Sequence, residues 1–220
     1  MIKKLNGIPI DIVPYLEEEQ NLPTVGQYLL GQHKQETFLV YAAFKHSIAN
    51  SALTEQQFIS GCGFKYSRYC WLKPSFLWLM HRSEWAKKKD QERILAMNVN
   101  VEVFEALLKN AINSHYDSVL YADKLEWKNK LKDSNAIFQF DPDYSAQDKR
   151  LARRALQLGL RSVLLKAFNE AIVGIYDLTD FAREQYQFVQ NGSYSKLLVP
   201  KMTIYQPKSM TVRLNLKLDW

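Results

Sequence analysis

The sequence predicts one α+β domain, with a mostly antiparallel or mixed sheet and several packing helices. Three observations predict it. Strand-like and helix-like segments interleave without strict βαβ regularity. Several strand candidates alternate apolar and polar residues, where a parallel doubly wound sheet wants continuous apolar runs. No repeat, low-complexity tract or Gly/Ser linker divides the 220 residues, a length that fits a single domain. A chain of this size buries about 70% of its unfolded surface and needs no disulfide or metal for stability. Hydrophobic content of 47% and aromatic content of 13% exclude a disordered tail, a collagen-like fibre and a cysteine scaffold.

The elements follow in order. Residues 1–36 read as an irregular lead-in, with prolines at 9, 14 and 23 and an acidic patch at Glu17-Glu18-Glu19. Thr37–Phe44 is rich in β-branched and aromatic residues and reads as a strand. Residues 47–60 are helical in composition, and Gly61 and Gly63 stop them. Pro74 suits the first turn of a second helix, which should run to about Lys88.

Residues 93–101 predict a strand, 102–113 a helix, and the charged stretch 118–132 another helix. Ala136–Phe140 reads as a short strand ended by a turn at Asp141-Pro142. Residues 161–170 predict a helix, 171–176 a strand, and 177–189 a helix capped by Asp177 or Thr179. In residues 210–220, Met210, Val212, Leu214, Leu216, Leu218 and Trp220 alternate with polar residues, so a C-terminal strand is expected.

Cys62 and Cys70 form no Cys-x-x-Cys pair, and the four histidines are scattered, so no zinc spacing appears. The basic start Met1-Ile2-Lys3-Lys4 is followed by Pro9, Asp11 and Pro14 rather than an apolar run, a poor signal peptide. No apolar run approaches membrane-spanning length. A cytoplasmic protein without a membrane partner is expected.

The net charge of +6 is unevenly spread. Residues 60–95 hold eight basic against three acidic residues, net +5. Residues 145–166 hold six against one, again +5, and the remaining 15 basic and 19 acidic residues net to −4. The first segment interleaves cations with aromatics: Trp78, His81, Trp85 and Lys88 fall on one stripe of the expected helix, with Trp71 seven residues before Trp78. Rings beside cations suit base stacking and phosphate binding, although a tryptophan stripe at helical spacing is more often core. Lys73 and Arg82 are the better ligand-binding candidates, because each lies among hydrophobic neighbours.

In the second segment, Arg153 and Arg154 offer bidentate forks for phosphate or carboxylate. Asp141 and Asp143 stand just past the expected strand end. Ser75, beside Lys73 at a helix start, is placed to bind an anion, but it has no identifiable base as a nucleophile. His46 and His81 are acid–base candidates. No glycine-rich dinucleotide loop, Walker loop, nucleophile elbow or zinc-protease motif occurs.

These residues carry a resemblance. Trp71-Leu72-Lys73-Pro74-Ser75-Phe76-Leu77-Trp78-Leu79-Met80, Arg82-Ser83, Trp85, Lys88, Gln91-Glu92, Gln139, Asp141-Pro142 and Arg154–Leu160 are similar to the family called domain of unknown function 4291, found in bacteria and fungi. Val40–Phe44 and Ile48-Ala49 also match that family's opening. The chain departs at Ala42, Phe140 and Tyr144, where the family usually has Gln, Trp and Arg. The resemblance implies homology but transfers no activity.

Together these readings point to a phosphate-bearing ligand, a nucleotide or nucleic acid, and to group transfer. Lys73, Arg82, Arg153 and Arg154, with Ser75, Lys88 and Gln139, would hold it. Trp71 or Trp78 would stack a ring, while Asp141, Gln157 and His81 would act on the reacting group. One concrete version is ADP-ribosyl transfer with NAD as cofactor, using Tyr41, Ser75 and Gln157. The alternatives are a noncatalytic module for nucleic acid or an acidic partner, and a partner protein whose C-terminal strand pairs with another chain.

Overall fold

Two apolar runs, Thr37–Phe44 and Arg93–Asn100, pair antiparallel along their full length, Thr37 opposite Asn100 and Phe44 opposite Arg93. Both are buried on both faces, which is why their sequences read as nearly continuous apolar stretches. They belong to a computed structural model that describes residues 2–5 and 7–219. Met1 and Trp220, the ends of the basic N-terminus and of the C-terminal alternation, lie outside the described residues.

In chain order the first elements are β1 (Lys3–Lys4), β2 (Asp11–Pro14), α1 (Tyr15–Asn21), β3 (Val25–Gln27), β4 (Leu30–Gly31), β5 (Thr37–Phe44) and α2 (His46–Glu55). The middle of the chain forms β6 (Cys70–Leu72), α3 (Phe76–Ser83), β7 (Arg93–Asn100), α4 (Val101–Lys109), β8 (Ile112–Asn113), α5 (Lys124–Asp133), β9 (Ala136–Tyr144) and β10 (Arg150–Leu160). The rest is α6 (Ser162–Glu170), β11 (Ile172–Asp177), α7 (Thr179–Gln190), β12 (Leu198–Pro200), β13 (Thr203–Ile204) and α8 (Met210–Asn215).

The fold is α+β with mixed sheets. β5, β7 and β11 form an antiparallel sheet in the order β11-β7-β5. A second sheet is built on β10. One edge of β10 pairs antiparallel with β9, and the other takes β3 in parallel at Ala152–Arg154 and β6 in antiparallel at Leu158–Leu160. The two sheets are stitched where Tyr41 of β5 and Lys73, just past β6, exchange backbone hydrogen bonds of 2.7 and 2.9 Å. Lys73 therefore sits at the seam between them.

One face of β5 and β7 packs with β9, β10, α4, α6 and α8 around Phe38, Phe104, Phe138 and Phe168. The other face packs with α3, α7, β2 and β12 around Tyr41, Phe76 and Phe181. No helix among the described residues is long and apolar enough to cross a membrane.

Four expectations change. Residues 1–36 are not irregular: β2 pairs with β1 and β12, and α1 turns Glu18 inward to accept from the Met202 N–H. The second helix stops at Ser83, because Glu84, Trp85 and Ala86 all adopt left-handed φ of 52–65°. That turn swings the Trp85 indole against Phe76 and Tyr186, and its burial offsets the backbone strain.

Asp141-Pro142 is no turn; β9 runs through it to Tyr144. Proline is tolerated there because β8 reaches only Phe138, which leaves the outer edge of β9 unpaired at Pro142. The C-terminal segment begins as helix α8 rather than a strand. Val212 and Leu216, one helical turn apart, are fully buried, whereas Met210 and Leu214 are 57% and 63% exposed. The alternating pattern contained that helical spacing, and with no strand there the strand-mediated partner loses its basis.

Candidate functional site

The β9–β10 register sets Gln139 opposite Gln157 and Ile137 opposite Gly159. On the other edge of β10, Gly159 faces Trp71. Side chains two residues apart along a strand share a face, so Gln139 and Asp141 of β9 stand beside Gln157 of β10, with Trp71 on the same side. A Cβ added to Gly159 would lie 3.0 Å from Ile137 and 3.2 Å from the Trp71 ring. Glycine is what lets that indole lie close over the strand.

Trp71, Gln139 and Gln157 line one side of a cavity of about 520 Å3. Its walls come from the end of β5, from the loop 63–69, and from Lys73, Leu79, Arg82 and Gln91. Ser75 caps α3, accepting from the Trp78 N–H at 3.3 Å, and so fixes the helix that carries Arg82 into the rim.

Lys73 is only 8% exposed. Its Nζ donates to the Trp71 carbonyl at 3.2 Å and lies 5.4 Å from the Trp78 ring centroid. Arg82 lies 5.7 Å from the same ring. Burial lowers the Lys73 pKa to about 8; the Arg82 charge adds to the fall, and Asp141 opposes it. Burial also pushes the neighbouring Cys70 up to about 12, so it stays a neutral thiol. Asp141 Oδ2 accepts from Nε2 of both Gln139 and Gln157. Gln139 Oε1 in turn accepts from Ser114 Oγ at 3.0 Å.

Lys65, Arg68 and Arg82 are exposed on the cavity wall, and Lys73 is buried in it. Among the described residues none of the four is in an ion pair. Tyr69 and Trp71 stand at a ring separation of 6.2 Å on the same wall. The arrangement offers cations for phosphates, ring faces for stacking, and an amine that gives up its proton near pH 8. No group of three His, Cys, Asp or Glu placed to hold a metal occurs among the described residues.

Of the residues the sequence singles out, Trp71, Lys73, Arg82, Gln139 and Gln157 line this cavity, and Asp141 is bonded to the two amides. The others go elsewhere. Trp78 lies beneath the two cations, buried, its Nε1 without a hydrogen-bond partner among the described residues. Tyr41 meets Lys73 through the backbone; its ring packs on Phe76, and its buried hydroxyl has no hydrogen-bond partner among the described residues. Ser75 donates to Asp143 rather than facing the cavity.

Arg153 is 2% exposed, bonded to Asp143 at 2.8 Å and in a two-point pair with Glu19 at 2.7 and 3.1 Å. It is a structural ion pair rather than a ligand clamp. Arg154, one residue on, faces the other side of β10, and its Nη2 donates to the Phe140 carbonyl. Lys88 lies in the turn after α3, outside the cavity lining.

His81 is furthest from expectation: it stacks on Tyr144 at 3.5 Å and pairs with Asp148, beside a separate groove of about 400 Å3. It does not join Asp141 and Gln157. Lys65, Arg68, Tyr69 and Gln91 line the cavity although nothing in their individual positions in the sequence singles them out. The usable signal was the alternation of aromatic and basic residues from Phe64 to Tyr69, just after two glycines.

A search of curated proteins finds no match to the chain. A family profile does match, over residues 28–205, a span that holds every cavity residue named above. With most of the chain matched, this protein belongs to the family described as domain of unknown function 4291.

Proposed function

We propose that this protein binds a phosphate-bearing ligand, a nucleotide or a nucleic-acid end, in the Lys73–Arg82 cavity and acts on it as a group-transfer enzyme. The observation that carries the reading is the convergence of Lys65, Arg68, Lys73 and Arg82 on one cavity with no ion-pair partner among the described residues. Cations left without carboxylates are free to take phosphate oxygens. A volume of about 520 Å3 is in the range of small-molecule sites. The half-exposed Trp71 face supplies a stacking surface, and the Gln139–Asp141–Gln157 cluster supplies amides for sugar hydroxyls.

NAD-dependent ADP-ribosyl transfer is the specific version to test first. Titration calorimetry with AMP, ADP-ribose, NAD and a short single-stranded RNA tests the general and the specific reading together. Nucleotide binding lost in Arg68→Ala and Arg82→Ala supports the pocket. No binding of any of the four at millimolar concentration overturns it. A noncatalytic nucleic-acid module would bind only the RNA, with affinity falling steeply as salt rises.

A further inference from the structure

We propose, resting on the reading of this cavity as a phosphate site, that Lys73 is a nucleophile that forms an imine with the aldehyde carbon of a phosphate-bearing, open-chain sugar. The argument begins with how the protein treats its buried charges. Arg153 is paired with Asp143 and Glu19, and Glu18 accepts from the Met202 N–H. Lys73 is the exception: a buried amine held only by a carbonyl and a ring face, with no carboxylate in ion-pair reach among the described residues. A buried cation without a counter-ion is costly.

That placement is what an amine nucleophile requires, since only the neutral form has a lone pair, and a desolvated lysine beside another cation reaches it near neutral pH. Burial and Arg82 lower the Lys73 pKa to about 8. A carbonyl is the electrophile that such an amine captures without a further activated group. The surrounding Lys65, Arg68 and Arg82 select a carbonyl compound that carries phosphate. The Gln139 and Gln157 amides, held by Asp141, suit the sugar hydroxyls between the two.

In the reaction, Lys73 Nζ attacks C1 and the carbonyl oxygen takes up a proton, giving a carbinolamine. The C–O bond then breaks, and the oxygen leaves as water with the two hydrogens that came from the neutral amine. No oxidant or reductant is consumed. The shared chemistry, a C1 aldehyde near phosphate, has two sources: a free sugar phosphate, or a strand position that has lost its base.

The test is intact-protein mass spectrometry after incubation with cyanoborohydride and either ribose 5-phosphate or an oligonucleotide with one abasic site, followed by peptide mapping. Calorimetry with AMP runs in parallel. The expected result is a single adduct mapped to Lys73, at least ten-fold faster than at any other lysine, and absent in Lys73→Arg. The arm that labels identifies the source. AMP binding without preferential labelling of Lys73 in wild-type protein by either probe overturns the imine and leaves the phosphate site standing. Absence of both binding and labelling overturns the two together. Mapping on the wild-type chain keeps the outcome independent of whether the variant folds.

Discussion

Gln139 and Gln157 face each other across the β9–β10 ladder, and both direct Nε2 at one oxygen, Asp141 Oδ2. One carboxylate thus fixes two amides 18 residues apart in the chain, and its negative charge also raises the Lys73 pKa against the effect of burial. Asp141→Asn removes the anion and sets an amide where an acceptor stood. Hydrogen bonds to a charged group contribute about 1.5–3 kcal/mol each. The loss should appear chiefly as roughly ten-fold or greater weakening of ligand binding. The Lys73 pKa should fall further, because one of the groups that oppose its depression is gone. The pH at half-maximal labelling of Lys73 by ribose 5-phosphate should therefore shift below that of the wild type.

Lys73 also makes folding pH-dependent. Its folded pKa, about 8, lies below the 10.5 of the unfolded chain, so between these values the unfolded state holds more protons and stability rises with pH. Below about pH 8 the folded state carries the full cost of the buried charge. Lys73→Met should consequently be more stable than wild type at pH 7, by up to on the order of 3 kcal/mol. The difference should shrink toward zero as pH approaches 10.5. Urea unfolding of both chains at pH 7 and pH 10 measures this. A gain independent of pH would mean that packing, not charge, decides the effect.

Two arginines of similar sequence prominence should behave oppositely. Arg153 neutralises the buried Asp143 and the half-buried Glu19. Removing it as Arg153→Met leaves both carboxylates without their cation, a loss of about 3–5 kcal/mol. Arg82 is exposed and in no ion pair among the described residues, so Arg82→Ala should alter stability by no more than about 0.5 kcal/mol. It should instead weaken AMP binding and make that binding less sensitive to salt. Thermal melts beside calorimetry at two ionic strengths separate the two roles.

Much of the fold is local in origin and so was legible. Thr37–Phe44 is a strand because its side chains suit burial on both faces, and a helix does start at this point, although Ser75 is its N-cap and Pro74 lies just before it rather than in its first turn. Segmental charge brought forward Lys73 and Arg82, which do share a cavity. What failed depended on register. Arg153 and Arg154 look alike in sequence, but adjacent strand residues face opposite sides: Arg153 meets Asp143 and Glu19, and Arg154 the Phe140 carbonyl, partners that only the strand pairing brings near. His81 sits on α3 one residue before Arg82, yet the helix turns it to Tyr144 and Asp148. The Asp141-Pro142 pair reads as a turn unless one knows that the outer edge of β9 is free there.

The C-terminal segment gives the sharpest contrast between pattern and structure, and a direct test. α8 closes the core that β5, β7, β9 and β10 share: Val212 and Leu216 are fully buried, Leu218 nearly so. Backbone carbonyls at its end are taken by side chains from elsewhere, Gln27 Nε2 donating to Leu216 at 2.7 Å, and Asn215 Nδ2 donates to Ala111 at 2.9 Å. Each fully buried aliphatic side chain contributes about 1.5–3 kcal/mol. A chain truncated after Ser209 should lose at least about 4 kcal/mol, a drop of about 10 °C or more in Tm for a domain of this size. Its elution on gel filtration at low temperature should match that of the full chain, because α8 packs inward on α4 rather than offering a strand edge to another molecule. Unchanged stability with a smaller assembly would reverse that assignment and restore an intermolecular role for residues 210–220.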